Sequence, residues 1–502
     1  GVLWQLRLAS RRERVVTLSV FAVLVAVAAF PIYSHLGTFV DTANNVLTKQ
    51  GDLGNLLHPL DRWQVLGIWP RGDFRYQIEA HQPTAYALMG IAVAAGVIGT
   101  LWLVRRVALA PLLLLGTSLV VAYVLTRQGS PYANAKVMMI ASPAIVLTAM
   151  LGGAALRASG LVVAGWLLAL VVAGGVLWTT ALAYHDADPA PRSRLEELIR
   201  IDHRFAGKGP AFENEADEFV PHFLRHVRSF NPPFSPPGLA PGVPPPPAGQ
   251  GRYPYDVNQV APSYLEQYRL LVLRRSPIAT RPPANFRRVF STRSYDVWQR
   301  GPAPDVLEHV PIARAITEAG GLTSCAQVRS VAARAAARGA RLAYVERPRT
   351  PSLIPTRAQR PTDWGTVFGD PNALIQRGKA GEVRGLVQVT APGRYRVWLQ
   401  GNFDRALSIY VAGHRVGRAG PRQFGAPGSF FSVGEIRLPA GPARIRIVRP
   451  GNNLEPADGG TNRFLGPLVL DPVTDARRLR YLAPRDAGTL CGRRLDWLEV
   501  VR

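Results

Sequence analysis

Within seven residues, Trp69, Arg71, Asp73 and Arg75 place an indole, two guanidinium groups and a carboxylate side by side in the segment LGIWPRGDFR. Two arginines can hold a phosphate, an aspartate between them can orient both, and a tryptophan can pack on a sugar or on lipid. The plainer alternative is an internal Arg/Asp pair beside an interfacial tryptophan. Lys136 is a second candidate cation, one of four lysines in a chain with 55 arginines. It follows Tyr132 and Asn134, where it either meets a lipid phosphate or snorkels to headgroups. Trp398 falls on the arginine-bearing, outward phase of an alternating strand, placed to stack on a sugar or to cover a neighbouring domain. Asn452 and Asn453, with Glu455 and Asp458, form a polar turn that can take sugar hydroxyls or calcium, although turn chemistry alone also accounts for such residues.

Other chemistries lack their motifs. The chain contains no G-x-x-x-x-G-K-[ST], no H-E-x-x-H, no paired C-x-x-C and no G-x-S-x-G. Nucleotide, zinc and triad-hydrolase readings are therefore unsupported, and no metal ligand set is assigned.

These residues sit on a chain of 502 residues whose first third is membrane-like. Five stretches, 15–34, 83–104, 107–126, 137–156 and 160–184, carry no Asp, Glu, Lys, Arg or His. About 20 helical residues cross a hydrocarbon core, so each can span. Arg7, Arg11, Arg12 and Arg14 precede the first stretch, Arg105 and Arg106 join the second to the third, and Arg157 joins the fourth to the fifth. Arginine-rich flanks stay cytoplasmic. That puts the N-terminus inside the cell (plasma) membrane, the loop at 35–82 outside, and everything after His185 on the extracytoplasmic side. A chain opening at Gly1 with a cytoplasmic connector is expected to be part of a longer multi-pass protein.

Residues 186–304 read as a small α/β domain. Ser193 and Glu196 suggest a capping box for a helix near 193–206, followed by strands at 268–275, 287–291 and 294–299, the last two a hairpin. Nine prolines over 231–247 exclude helix and central strand there. Residues 305–502 read as an antiparallel, jelly-roll-like β-sandwich with a flanking helix at 325–338 and a C-terminal strand. Tyr395, Val397 and Leu399 alternate with Arg394, Arg396, Trp398 and Gln400, and Ile445 and Ile447 with Arg444 and Arg446, a period of two with glycines at the turns. The fold class is thus multidomain: a transmembrane α-helical bundle over 1–185, an extracytoplasmic α/β domain and a sandwich. Cys325 and Cys491 bracket the sandwich on the oxidising side, where a disulfide is expected; two free buried thiols are the alternative.

This order of parts resembles the C-terminal half of GT-C superfamily membrane glycosyltransferases of actinobacterial type. The stretches LGIWPRGDFR (66–75), SPYANAKVMMIASPA (130–144), LRRSPIATRPPANFRRVFSTRSYDVWQR (273–300) and CGRRLDWLEV (491–500) carry the resemblance. It implies transfer of a sugar from a polyprenyl-phosphate donor to a cell-envelope glycan or glycoprotein. Arg71, Arg75 and Lys136 would then bind the lipid phosphate, with Trp69 and Asp73 in support. The superfamily's acidic base lies in the N-terminal half, so no catalytic residue is carried over. No cofactor is firmly implied, and a divalent cation is compatible. APGRYRVWLQG, YVAGHRVG and LPAGPARIRI are similar, at the level of fold, to carbohydrate-binding-module jelly rolls; the sugar contacts expected of Trp398, Asn452 and Asn453 rest on strand phase and turn chemistry. The alternative is a noncatalytic, membrane-anchored carbohydrate-binding envelope protein. A transporter is weaker, because the spans lack intramembrane charge.

The formal charge of +25 at first suggests a nucleic-acid partner. Its makeup argues otherwise, since the arginines flank spans or alternate along strands as a solvated face.

Overall fold

The computed structural model describes residues 11–34, 52–78, 82–187, 192–215, 219–230, 256–312, 320–367, 370–376, 380–403, 405–420, 428–451, 464–474 and 477–502. The proline-rich run, Asn452, Asn453, Glu455, Asp458, Asp41, Glu79 and His81 lie outside them. The chain forms two compact units, Gly1–Ala183 and Tyr184–Arg502.

The first unit is helical: α1 (Arg11–Ser34), α2 (Gln82–Arg105), α3 (Leu109–Gln128), α4 (Pro131–Ala158) and α5 (Val162–Asp186). Four of these, α2 to α5, are long and apolar enough to cross a membrane, so four of the five expected spans stand. The fifth, over 15–34, folds as the 24-residue α1, with Val15, Val20, Val23 and Phe30 exposed; its crossing of a membrane is a proposal from sequence. The α2–α4 contact depends on two glycines. A Cβ at Gly99 would collide with the Thr148 carbonyl, and one at Gly152 with the Ala95 carbonyl, so the two backbones approach as closely as small residues permit.

The second unit begins with α6 (Arg192–Arg204). It starts one residue before Ser193, which therefore lies inside the first turn, and Glu196 pairs with Arg192 instead of closing a capping box. Its apolar face, Leu198, Ile201 and the following Phe205, packs on Val272, Tyr295 and Val297 of a mixed sheet. That sheet runs Ser229–Phe230, Ala211–Glu213, Leu270–Arg274, Tyr295–Arg300, Phe286–Ser291; the first three strands are parallel and the hairpin is antiparallel.

The sandwich appears as the alternation requires. One sheet runs Gly365–Val367, Asp370–Ile375, Phe464–Pro472, Gly393–Asn402, Phe430–Leu438, and the other runs Gly381–Val389, Gly441–Arg449, Leu407–Val411, His414–Ala419. Tyr395, Val397, Leu399, Ile445 and Ile447 all enter the shared core. The residues on either side of the sandwich form a further antiparallel sheet, Leu479–Leu482, Arg341–Glu346, Arg494–Val501, Val306–Pro311, covered by the helix Cys325–Ala337. Ser324 accepts from Gln327 N at its start. The Cys325–Cys491 disulfide is formed across 166 residues and ties this helix to the turn before the last strand.

Candidate functional site

In the first unit, the turn carrying the opening cluster is built as a rigid piece. Asp61 caps the short 3-10 helix Arg62–Leu66, and Gly67 stops it at a positive φ. Ile68 and Trp69 then plunge into the bundle with Met89, Ala149 and Val172. Trp69 is 4% exposed; its N–H donates to Thr179 Oγ1 at 2.8 Å and its indole to the Tyr76 carbonyl at 3.1 Å. The indole is therefore spent on anchoring the turn.

Asp73 accepts from Arg75 N (3.0 Å), Nε (2.9 Å) and Nη2 (2.7 Å). Burial pushes the Asp73 carboxyl up, but the hydrogen bonds from Arg75 and the charges of Arg75 and Arg71 outweigh it, leaving it below the usual carboxylate range. Arg71 lies over the Tyr76 ring at 5.5 Å and Lys136 over the Tyr132 ring at 4.4 Å. Arg75 Nη1 reaches the Asn55 carbonyl at 3.4 Å, and Tyr132 N donates to the Asp52 carbonyl at 3.2 Å. Arg75 and the first turn of α4 thus grip the same segment, 52–55, which brings the expected cations to one end of the bundle.

Two of the cavities in the second unit lie beside the sandwich sheet that contains Trp398. Between them stand Trp398, Phe430, Val469 and Ile278. Trp398 is on the outer face, as its phase dictates, but is only 3% exposed, because Ile278 packs over it. The alternation gives the side a residue points to and says nothing of what covers that side.

The first cavity, about 620 Å³, is lined by the amides and hydroxyls of Asn372, Gln388, Gln400, Thr390 and Ser352, by the charged Arg349, Arg357, Arg494 and Asp370, and by apolar walls that include Phe430 and Pro467. Gln400 Nε2 donates to the Gly428 carbonyl at 2.9 Å, which fixes the amide. Asp370 Oδ1 accepts from Asn372 N at 2.9 Å. The second cavity, about 590 Å³, lies between the mixed sheet and the sandwich, and is dominated by arginines. Sequence reasoning passed over both. Asn372, Gln388 and Gln400 come from three strands, and the arginines from three regions of the chain. The one local signal is the Arg274–Arg275 pair that ends an apolar strand and points charge at the sheet's edge. Among the described residues, no group of three His, Cys, Asp or Glu is arranged to hold a metal ion.

No family model matches the sequence, and no curated protein matches it. Among solved structures, the chain is similar to the GH26-CBM35 β-(1,4)-mannanase of Podospora anserina, with 12% identity and a TM-score of 0.19 over 25% of this chain and 28% of that one. It is similar to the CBM36-1 domain of a multidomain xylanase from the hindgut metagenome of Trinervitermes trinervoides, with 13% identity and a TM-score of 0.20 over 25% of this chain and 99% of that one. A family 35 carbohydrate-binding module from an environmental isolate matches at 12% identity and a TM-score of 0.19, over 28% of this chain and 97% of that one. The chain spans less than a third of the mannanase's length. With likeness at that level, function has to be argued from the cavities themselves.

Proposed function

We propose that this is a membrane-anchored protein of the cell envelope whose C-terminal unit binds carbohydrate in the amide-lined cavity, where Arg349, Arg357 and Arg494 add further donors. The lining chemistry carries the reading. A sugar hydroxyl both donates and accepts, and Asn and Gln amides offer both functions in one plane, as do Thr and Ser hydroxyls. Asn372, Gln388, Thr390 and Gln400 concentrate such groups around a space of about 620 Å³ with an aromatic wall at Phe430. A site of this size falls in the usual range for small-ligand pockets, about 300–1,000 Å³.

The detergent-solubilised chain should therefore give discrete signals on a glycan array. Each hydrogen bond left unmade costs about 1–3 kcal/mol. The double substitution Asn372→Ala with Gln388→Ala should weaken the best hit by on the order of a hundredfold while leaving the circular dichroism spectrum unchanged. An array without signal, or a double variant that binds as well as the parent, would refute the site.

The more specific reading is sugar transfer from a polyprenyl-phosphate donor, with the extracytoplasmic topology that the arginine flanks imply. The observation that favours it is the gathering of Arg71, Arg75 and Lys136 at one end of the bundle, where Trp69 anchors the turn, Asp73 holds Arg75 and Tyr132 lies under Lys136. A cation placed against a leaving phosphate stabilises developing charge. In the full-length protein, Arg71→Ala, Arg75→Ala and Lys136→Ala should each lower turnover of lipid-linked sugar by at least tenfold. Undiminished turnover in all three variants disposes of the assignment and leaves carbohydrate binding standing.

A further inference from the structure

The arginine-dominated cavity carries a separate conclusion, independent of the amide-lined site. Seven arginines line it against two aspartates, Asp296 and Asp471, among the described residues. Asp471 is engaged by Arg477 at 2.6 Å. Arg396 turns to Glu435 at 2.7 Å and Arg274 to Glu215 at 2.6 Å. Asp296 faces Arg275 and Arg288 at 3.8 Å from each, beyond hydrogen-bonding distance of either; Arg275 also feels the charge of Glu197 and donates from Nη1 to the neutral Thr292 carbonyl at 2.8 Å. Arg281 directs its donors at the neutral carbonyls of Pro282 and Phe286, both at 2.9 Å, and stacks over Trp298 at 5.2 Å.

The excess of positive charge is felt within the cluster. Burial lowers the Arg275 pKa, Asp296 opposes this, and Arg396 and Arg288 lower it further. Burial, with Arg347 close by, brings Arg477 down to about 10. Like charges held together at the wall of a cavity are a standing demand for an anion. The volume, about 590 Å³, is far more than a lone small anion fills, and Trp298 and Trp398 contribute aromatic wall beside the guanidinium groups. Guanidinium forks match the paired oxygens of a carboxylate or phosphate.

We propose that this cleft binds the acidic group of a charged saccharide, a carboxylate or phosphate carried on a sugar, with Arg275 and Arg288 taking the anionic oxygens and Trp298 flanking the ring. The excess of guanidinium groups, seven arginines against two aspartates, distinguishes this cleft from the amide-lined cavity, where three arginines stand among six neutral polar residues.

The test uses the full chain in detergent and isothermal titration with two probe pairs: trigalacturonate against its methyl ester, and glucose 1-phosphate against glucose. At least one acid should bind tenfold or more tighter than its uncharged partner, and raising the salt should erode that advantage. Whether the acid is trigalacturonate or glucose 1-phosphate separates the carboxylate source from the phosphate. Arg288 has a half-exposed side chain (56%), so Arg288→Gln is compatible with the fold; alone and with Arg275→Gln it should remove most of the advantage, whereas Asn372→Ala should not. Equal affinity for acid and uncharged partner in both pairs overturns the proposal. So does an Arg288→Gln, Arg275→Gln variant, with an unchanged melting temperature, that keeps the full preference for acid.

Discussion

Asp496→Ala is expected to destabilise the C-terminal unit by about 3–5 kcal/mol, the usual cost of stranding one member of a buried ion pair. Arg347 Nε meets Asp496 Oδ1 at 2.8 Å, with the two residues 3% and 0% exposed. The other Asp496 oxygen accepts from Arg281 N at 3.1 Å, and the Arg347 guanidinium also reaches the carbonyls of Pro277, Ile278 and Ala279. One pair therefore fastens the segment 277–281 to the last strand. Removing the carboxylate leaves a buried guanidinium and a buried N–H without their acceptor. The thermal midpoint, read by near-ultraviolet circular dichroism with Trp497 fully buried next door, should fall by roughly 10 °C. Replacing both partners with leucine should cost much less than Asp496→Ala plus Arg347→Leu taken separately. A single-variant loss under 1 kcal/mol would contradict this account. Function should suffer as well, since Ile278 lines the amide-lined cavity and Ala279, Thr280 and Arg281 line the cationic one.

The same pair shows what a sequence can and cannot reveal. The spans were legible because uncharged runs of membrane length rarely arise in a water-soluble core, and the sandwich because Tyr395, Val397 and Leu399 keep a strict period of two. The cleft was not legible, because its walls meet only in three dimensions: Arg275 and Arg288 come from one domain, Arg396 from an inner strand of the sandwich and Arg477 from the segment after its last strand. Read along the strand, an arginine at every second position is a solvated face, and Arg394 and Arg444 are exposed in that way. Arg194, Arg274, Arg347 and Arg449 are instead buried, and no local pattern distinguishes them from the rest. The burial of Trp69 and Trp398 is illegible for the same reason. Trp69 packs with Met89, Ala149 and Val172, and Trp398 with Ile278, all distant in sequence, although Trp398 still lines the cationic cleft.

Glu215 should show the second large effect, and its dependence on pH has a definite sign. Its Oε2 accepts from Arg274 Nη1 at 2.6 Å, Arg194 Nη1 at 2.8 Å and Tyr295 Oη at 2.9 Å, all inside the mixed-sheet core. Burial alone would raise its pKa; the charges of Arg274 and Arg194, then the hydrogen bonds from Arg274 and Tyr295, bring it from 4.5 to about 2. A folded-state pKa below the unfolded one adds stability that is complete above about pH 4.5 and lost as the pH falls towards 2. The shift corresponds to something on the order of 3 kcal/mol. Glu215→Gln keeps the shape and removes the charge, so at pH 7 it should cost about 3–5 kcal/mol by removing the carboxylate that the buried Arg194 and Arg274 share. Melting curves of parent and variant should converge between pH 5 and pH 2; a gap that stays constant over that range would show that the carboxylate's charge is not the cause. Because Arg274 also lines the cationic cleft, the variant adds an uncompensated charge to that wall. Its affinity for an acidic saccharide at pH 7 should therefore rise while its stability falls, and opposite signs from one substitution separate electrostatics in the cleft from general damage to the fold.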